Sequence, residues 1–319
     1  MAKTLQEYVE WLDSRELQWP AAPKCVDAKA TPFTKPLKGI RAVTWSIYGT
    51  LLRISDGELL FDHPEQLRMQ IALDKTIQEF KMWHSMNRKP GEPWKLMYEQ
   101  YKRLLDDQRM ADTRQKGDYP EADASKIWRK LLAKLGEKDY DYNMAFYGDP
   151  EELSDKVAYF FHANMQGIEA APNAHLALTA IVTSRLRQAL LADAQPFTIV
   201  QMLRALKQQG TLPPLGGLFA LTCSVLSFQE GLRTPSRTLY DRCLQKFAAE
   251  GISPQEILHV GSRLKDDLAV AKEAGMRTAL YAADMTSLRA TKTDMKDSRI
   301  CPDRLLTDLA QLREVLSLK

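Results

Sequence analysis

The side chains with the clearest capacity for chemistry are one serine and two aspartates that follow short apolar runs. Ser46 stands directly after such a run, and Asp193 and Asp267 follow two later runs. A serine at the turn after a strand can act as a nucleophile when a base lies within about 3 Å of its hydroxyl. Histidine is the usual base, but His259 lies inside an apolar run, where we expect it to pack in the core. We therefore treat hydrolysis by Ser46, with Asp193 or Asp267, as the alternative to binding without catalysis.

Anion binding without catalysis places fewer demands on these residues. The backbone N–H groups of Gly49 and Thr50 and the hydroxyls of Ser46 and Thr50 suit an anion, and Arg263 and Lys265 add positive charge. The alternative is that Arg263 and Lys265 form ion pairs with neighbouring acidic side chains, and both interpretations stay open. The candidate ligand-binding residues are Ser46, Thr50, Asp193, Arg263, Lys265 and Asp267.

Short apolar runs without clean alternation predict strands that are buried on both faces of a parallel sheet. The runs are IRAVTW (40–45), RQALLA (187–192), FALTCSVLS (219–227), EILHVG (256–261) and RTALYA (277–282). Helical patterns lie between the last four runs, and this alternation indicates βαβ units. We therefore predict an α/β fold with a doubly wound, mostly parallel sheet. The carboxyl ends of its strands border the ligand crevice, so Ser46 and the two aspartates belong there.

A block of different character separates the first two strands. Residues 59–170 have helical periodicity and no strand period, which predicts an inserted all-α cap over the crevice. The aromatic side chains of this block recur at helical spacing, so we expect most of them to form its core.

The segment before the first strand also stands apart. Thr4 and Glu7 have capping-box spacing, which predicts a helix over 4–17, and a proline-rich linker follows. This arm either packs on its own domain or docks a partner. The predicted domains are an N-terminal helix and linker arm at 1–38, an α/β core at 39–58 and 171–319, and a helical cap at 59–170.

The composition of the chain limits the classes of protein to which it can belong. The chain has 319 residues, 45% of them hydrophobic and 27% charged, with a formal net charge of +3. The basic residues are scattered, so we expect no nucleic-acid partner, and no apolar run predicts a membrane span. The N-terminus lacks the features of a signal peptide, and the four widely spaced cysteines fit neither a zinc site nor a disulfide framework. We expect a cytoplasmic protein.

Residues 40–310 resemble the haloacid dehalogenase-like (HAD) hydrolase superfamily with a helical type-1 cap. The resemblance rests on GTLL at 49–52, on G-x-x-x-P at 231–235, and on V-G-x-x-x-x-D-D-x-x-x-A-x-x-A-G at 260–275. It implies a HAD-like Rossmannoid core and a carboxylate nucleophile at the end of the first strand. It also implies an acid/base Asp, or Tyr in dehalogenases, two residues later. A Ser or Thr, a Lys and an acid at the later motifs complete the set, with magnesium in the phosphatases.

The chain departs from this pattern where the reactive side chains belong. The substituted positions are Ser46 for the nucleophile, Tyr48 for the acid/base, Ala192 for the hydroxyl residue, Thr234 for the lysine and Ser262 for the metal-binding acid. Asp267 and the turn residues remain. We therefore predict a catalytically degenerate member, a pseudoenzyme without magnesium, that binds a small anionic ligand or a protein partner. The alternative is a phosphatase-like or dehalogenase-like hydrolase with an unorthodox site that uses Ser46.

Overall fold

The computed structural model of the chain describes residues 1–86, 92–115 and 119–318, without the side chains of 111–115. Contacts among these residues divide the chain into two units. The helical unit comprises Met1–Ala21, Leu59–Gly167 and Gln195–Gln201. The sheet unit comprises Ala22–Glu58, Ile168–Ala194 and Met202–Lys319. The N-terminal segment that we predicted as one arm is thus divided between the two units.

The strands of the sheet unit are short and buried. They are β1 (Ala42–Trp45), β2 (Leu52–Ile54), β3 (Ile168–Ala170), β4 (Arg187–Ala192), β5 (Val225–Leu226), β6 (Ile257–Gly261), β7 (Arg277–Tyr281) and β8 (Arg304–Leu306). Six of them form a sheet in the order β5-β4-β1-β6-β7-β8, and each pairing in it is parallel. The predicted α/β fold with a mostly parallel sheet is confirmed.

The described helices belong to both units. They are α1 (Leu5–Asp13), α2 (Gln66–Glu79), α3 (Pro93–Gln115), α4 (Ala124–Gly136), α5 (Met144–Tyr147), α6 (Pro150–Met165), α7 (Ala174–Thr183), α8 (Thr198–Lys207), α9 (Leu215–Leu218), α10 (Ser227–Glu230), α11 (Arg237–Ala248), α12 (Ala269–Glu273) and α13 (Leu312–Val315). A π-helical turn at Leu264–Leu268 precedes α12. None of the described helices is long and apolar enough to cross a bilayer.

The chain leaves the sheet unit and returns to it through a small antiparallel pair. Strands β2 and β3 pair from Leu52 with Ala170 to Ile54 with Ile168. The two strands bring the ends of a long insertion together, so more than one hundred residues between them form a separate unit without breaking the parallel sheet. We predicted no strand period in this region, and β3 at its end is a correction.

Helix α1 begins where its sequence predicts, but it ends at Asp13 and not at residue 17. The Thr4 hydroxyl accepts a hydrogen bond from the Glu7 backbone N–H at 3.2 Å, and Glu7 Oε2 accepts one from the Thr4 N–H at 2.7 Å. These two bonds satisfy donors that the first turn of a helix leaves open. Tyr8 and Leu12 are fully buried in the helical unit, so α1 belongs to the core of that unit.

Two elements of the sheet unit differ from expectation. The run 219–227 forms only the two-residue strand β5, because 3₁₀ and α-helical turns occupy the residues on either side. The segment at 303–316 has the apolar spacing of a single amphipathic helix, but it begins with β8 at Arg304–Leu306 and ends with the short helix α13. The first apolar residues of this segment lie in β8, which pairs in parallel with β7 at the edge of the sheet. Later ones are buried in α13.

Candidate functional site

The predicted site residues of the sheet unit follow three neighbouring strands. Ser46 follows β1, Asp193 follows β4, and Ser262 and Arg263 follow β6. The order β4-β1-β6 places these three strand ends side by side. Because the strands are parallel, their carboxyl ends meet at one edge of the sheet, where ligands bind in open α/β folds.

Ser46 is held by a buried carboxylate. Its Oγ donates a hydrogen bond of 2.5 Å to Asp267 Oδ2. The other carboxylate oxygen of Asp267 accepts from the Tyr240 hydroxyl at 2.7 Å and from His259 Nε2 at 2.7 Å. Asp267 is only 3% exposed, so these three donors replace the water that its charge would otherwise need.

The strand register fixes the position of His259. Thr44 in β1 pairs with His259 in β6, and Thr44 Oγ1 lies 2.9 Å from His259 Nδ1. An ionised carboxylate can only accept a hydrogen bond, so His259 Nε2 carries the proton that faces Asp267. His259 therefore holds Asp267 and does not face the Ser46 hydroxyl. This order differs from a Ser-His-Asp triad, in which the imidazole lies between the other two groups.

The charge of Asp267 is favoured despite its burial. Burial alone raises the pKa of this carboxyl, but the His259 imidazole and the hydrogen bonds from His259, Ser46 and Tyr240 outweigh that effect and lower the pKa. Burial and the Asp267 charge raise the pKa of Tyr240, so its hydroxyl keeps the proton it donates. A carboxylate with a lowered pKa is a weak base, so Asp267 is a poor proton acceptor for the Ser46 hydroxyl.

A second group forms around Asp193. The Thr234 backbone N–H donates to Asp193 Oδ1 at 2.8 Å, and the Thr234 hydroxyl donates to Oδ2 at 2.6 Å. Arg263 Nη1 also donates to Oδ2 at 3.3 Å. Both charged side chains are mostly buried, with 17% of Arg263 and 19% of Asp193 exposed. Asp193 thus neutralises the arginine that we expected to attract an anion.

The turn after β1 satisfies its own backbone. The Gly49 N–H donates to Leu52 O at 2.7 Å, and the Thr50 N–H donates to Ile47 O at 3.1 Å. These are the two groups that we expected to bind an anion, and in this conformation neither is available. The Thr50 hydroxyl is fully buried and has no hydrogen-bond partner among the described residues.

Glycine is required at two positions for steric reasons. Gly49 has a φ of +83°, and a Cβ there would overlap Ser262 Oγ. A Cβ at Gly261 would overlap Asp267 Oδ2. The retained glycines therefore let Ser262 and Asp267 approach the backbone closely. They maintain the shape of the site whether or not it performs a reaction.

The remaining predicted residues are Lys265, Tyr48 and Ala192. Lys265 is exposed and forms an ion pair with Asp294 at 2.9 Å. Of the two interpretations of this lysine, the structure therefore has the ion pair with a neighbouring acid. Tyr48 is 3% exposed and forms a β-bridge with Leu52. Ala192 is buried as the last residue of β4.

The residues at this edge do not fit magnesium. The side chains that could contact a metal ion here are Ser46, Ser262 and Asp267. Ser46 donates a hydrogen bond to Asp267. Both oxygens of Asp267 already accept hydrogen bonds, Oδ2 from Ser46 and Oδ1 from Tyr240 and His259. Magnesium needs several anionic or carbonyl oxygens in a near-octahedral array, and one occupied carboxylate does not supply it. Within the described ranges, no cluster of three or more His, Cys, Asp or Glu residues could hold a metal ion.

Three residues of the site were not expected from the sequence. They are Thr44, Tyr240 and His259, which complete the network around Ser46 and Asp267. The sequence held a clue to two of them, because residues two apart in a strand lie on the same face of the sheet. Thr44 precedes Ser46 by two residues, and His259 precedes Gly261 by two. No local pattern indicated Tyr240, because its contact depends on how α11 packs.

Part of the chain matches a known family, and most of it matches solved structures. Residues 231–312 match the family model described as HAD-hydrolase-like. A 2-haloacid dehalogenase from Pseudomonas syringae pv. Tomato DC3000 is 21% identical, with a TM-score of 0.53, over 87% of this chain and 98% of that one. The L-2-haloacid dehalogenase from Xanthobacter autotrophicus is 20% identical, with a TM-score of 0.40, over 86% and 96%. No curated protein matches the sequence.

Proposed function

We propose that this chain, which has the fold of the HAD-like hydrolases, is a non-catalytic binding protein. The observation that carries the proposal is the hydrogen bond of 2.5 Å from the Ser46 hydroxyl to the buried Asp267 carboxylate. At the position where a carboxylate nucleophile would stand, this protein has a hydroxyl that is engaged as a donor. Its acceptor is a weak base.

The chemistry of the missing groups supports this proposal. Covalent catalysis needs a nucleophile that is ionised or that has a base able to take its proton. Ser46 has neither, because the lowered pKa of Asp267 favours the ionised carboxylate over the acid that proton transfer would form. Removal of a nucleophile costs up to about a million-fold in kcat in a well-studied protease. We infer that no useful remnant of hydrolase activity is left.

The charges at the sheet edge support the same conclusion. A transferred phosphoryl group or a departing halide needs positive charge that is free to stabilise it. Arg263 is paired with Asp193, and Thr234 stands where the resemblance implies a lysine. We therefore propose a protein that works without magnesium, with a small anionic ligand or a protein as partner. We expect it to act in the cytoplasm and not on nucleic acid.

Hydrolysis of two generic substrates tests the proposal. 4-Nitrophenyl phosphate and 2-chloropropionate are each incubated with the protein, with and without magnesium. Wild type is compared with Ser46→Ala and with Ser298→Ala, which changes an exposed serine. We expect equal background rates in all three proteins. Turnover by wild type and Ser298→Ala that falls at least tenfold in Ser46→Ala would establish the hydrolase alternative instead.

A further inference from the structure

A second candidate site lies in the helical unit. Helix α1, the segment after it, α2, α5 and α6 border a cavity of about 680 Å³. Its lining includes the aromatic rings of Trp11, Tyr147 and Phe160 and the cations Arg15, Lys75 and Lys81. Small-molecule sites commonly have volumes of about 300–1,000 Å³, with apolar walls and a few polar groups. The volume of this cavity lies within that range, and its lining combines aromatic and charged side chains.

The cations of the cavity outnumber its acids. Arg15 pairs with Glu79 at 2.5 Å, and its guanidinium lies 4.4 Å from the Trp11 ring centroid. Neither Lys75 nor Lys81 forms an ion pair within the described part of the chain. Two positive charges are therefore left uncompensated, and they attract an anion into the cavity.

Lys75 is held in place by neutral groups. Its Nζ donates to the Gln18 carbonyl at 2.5 Å and to Asn164 Oδ1 at 3.1 Å. Asn164 is itself only 4% exposed and donates to the Phe160 carbonyl at 2.9 Å. These bonds fix the ammonium group without neutralising its charge, and its third N–H remains for a ligand.

The aromatic wall is also fixed. Phe160 packs edge-on against Phe80, with 5.8 Å between the ring centroids, and Tyr147 lies 5.4 Å from the same ring. Trp11 packs edge-on against Phe146 at 4.9 Å. Each ring that lines the cavity is supported by another ring behind it. A flat ligand therefore meets a surface that needs little reordering on binding.

We propose that this cavity binds a small organic anion with a flat aromatic body, its charge held by Lys75 and Lys81 and its ring packed on the aromatic wall. The site involves only the helical unit. It does not depend on the absence of catalysis at the sheet edge.

Titration calorimetry with 1-naphthyl phosphate tests this site. We expect saturable binding of one molecule to wild type. Binding of 1-naphthol should be weaker because it lacks the negative charge, and binding of inorganic phosphate should be weaker because it lacks the aromatic ring. A charged hydrogen bond contributes about 1.5–3 kcal/mol, so Lys75→Met and Lys81→Met each weaken the affinity about tenfold or more. Lys130→Met removes an exposed lysine of α4 that does not line the cavity, and it leaves the affinity unchanged.

The thermal midpoint of each variant without ligand shows that it is folded. The proposal is wrong if 1-naphthyl phosphate does not bind wild type at millimolar concentration. It is also wrong if Lys75→Met and Lys81→Met bind as tightly as Lys130→Met, or if inorganic phosphate binds as tightly as the aryl phosphate. Hydrolysis assays at Ser46 report on the sheet unit alone, so the two proposals can fail independently.

Discussion

The Asp267 carboxylate connects three side chains at the sheet edge. It accepts hydrogen bonds from Ser46, Tyr240 and His259, and Gly261 leaves room for it. In an active hydrolase such a residue would need a free oxygen for a metal, a substrate or a proton. Here its hydrogen bonds go to Ser46 after β1, His259 in β6 and Tyr240 in α11, so we expect it to hold these three elements together.

This role predicts a large loss of stability on truncation. Removal of one partner from a buried charged network costs about 3–5 kcal/mol, so Asp267→Ala lowers the free energy of unfolding in urea by about that amount. The matched control is Asp266→Ala, which changes an exposed neighbour in the same turn and shifts stability by less than about 0.5 kcal/mol. Equal stability of the two variants would show that the network is not structural.

His162 gives the helical unit a pH dependence. It is fully buried, with the rings of Phe61, Phe161 and Phe197 at 5.5, 5.1 and 5.0 Å. Burial lowers the pKa of His162 to about 3. The folded state therefore keeps it neutral, while the unfolded chain takes up a proton below about pH 6.5. Stability is fully present above that pH and falls as the pH drops toward 3.

At pH 5 this effect amounts to about 2 kcal/mol for wild type. Urea unfolding at pH 7.5 and pH 5 measures this effect. Between the two pH values, the free energy of unfolding of His162→Phe should fall by about 2 kcal/mol less than that of wild type. His84→Phe, which changes an exposed histidine, serves as the control and should follow wild type. An identical fall in His162→Phe and wild type would contradict the assignment.

At the scale of elements, α1 is a part of the helical core and not a detachable arm. Tyr8 lies 6.2 Å from the Phe80 ring and 6.0 Å from the Tyr147 ring, and Leu12 is fully buried. Deletion of residues 1–38 is the simplest test of whether this segment docks a partner. Such a deletion would expose this core, so loss of a partner would not show that the arm itself binds.

A point substitution tests the role of α1 more cleanly. Leu12→Ala removes buried methyl groups and should cost about 2–5 kcal/mol in the free energy of unfolding. Glu10→Ala lies on the exposed face of the same helix and should change stability by less than about 0.5 kcal/mol. If Leu12→Ala is no less stable than Glu10→Ala, α1 is a loosely attached arm.

The predictability of the elements followed the strength of the local signal. The capping box of α1 and the apolar runs of β1, β4, β6 and β7 were readable because side-chain spacing alone defines them. Strands β2, β3 and β8 are only three residues long. A segment of that length has too few positions to show a period, so its pairing depends on tertiary partners.

At the scale of the whole molecule, the sequence indicated where a site lies but not how its groups pair. Strand order brings Ser46, Asp193 and Asp267 to one sheet edge, as the motifs predicted. The partners of these residues come from distant segments: α11 supplies Tyr240, β6 supplies His259 and the loop before α11 supplies Thr234. Gly49 and Thr50 were predicted as anion donors because their sequence suits a phosphate loop. The structure instead closes their N–H groups within the turn.

We propose that Ser46 is a structural hydrogen-bond donor and not an activated nucleophile. Diisopropyl fluorophosphate tests it without knowledge of a substrate, because an activated serine displaces fluoride and retains the diisopropylphosphoryl group. The intact mass of wild type and Ser46→Ala is measured after incubation, with an active serine hydrolase in parallel. We predict an unchanged mass for both proteins. A single diisopropylphosphoryl adduct on wild type that is absent from Ser46→Ala would contradict the claim.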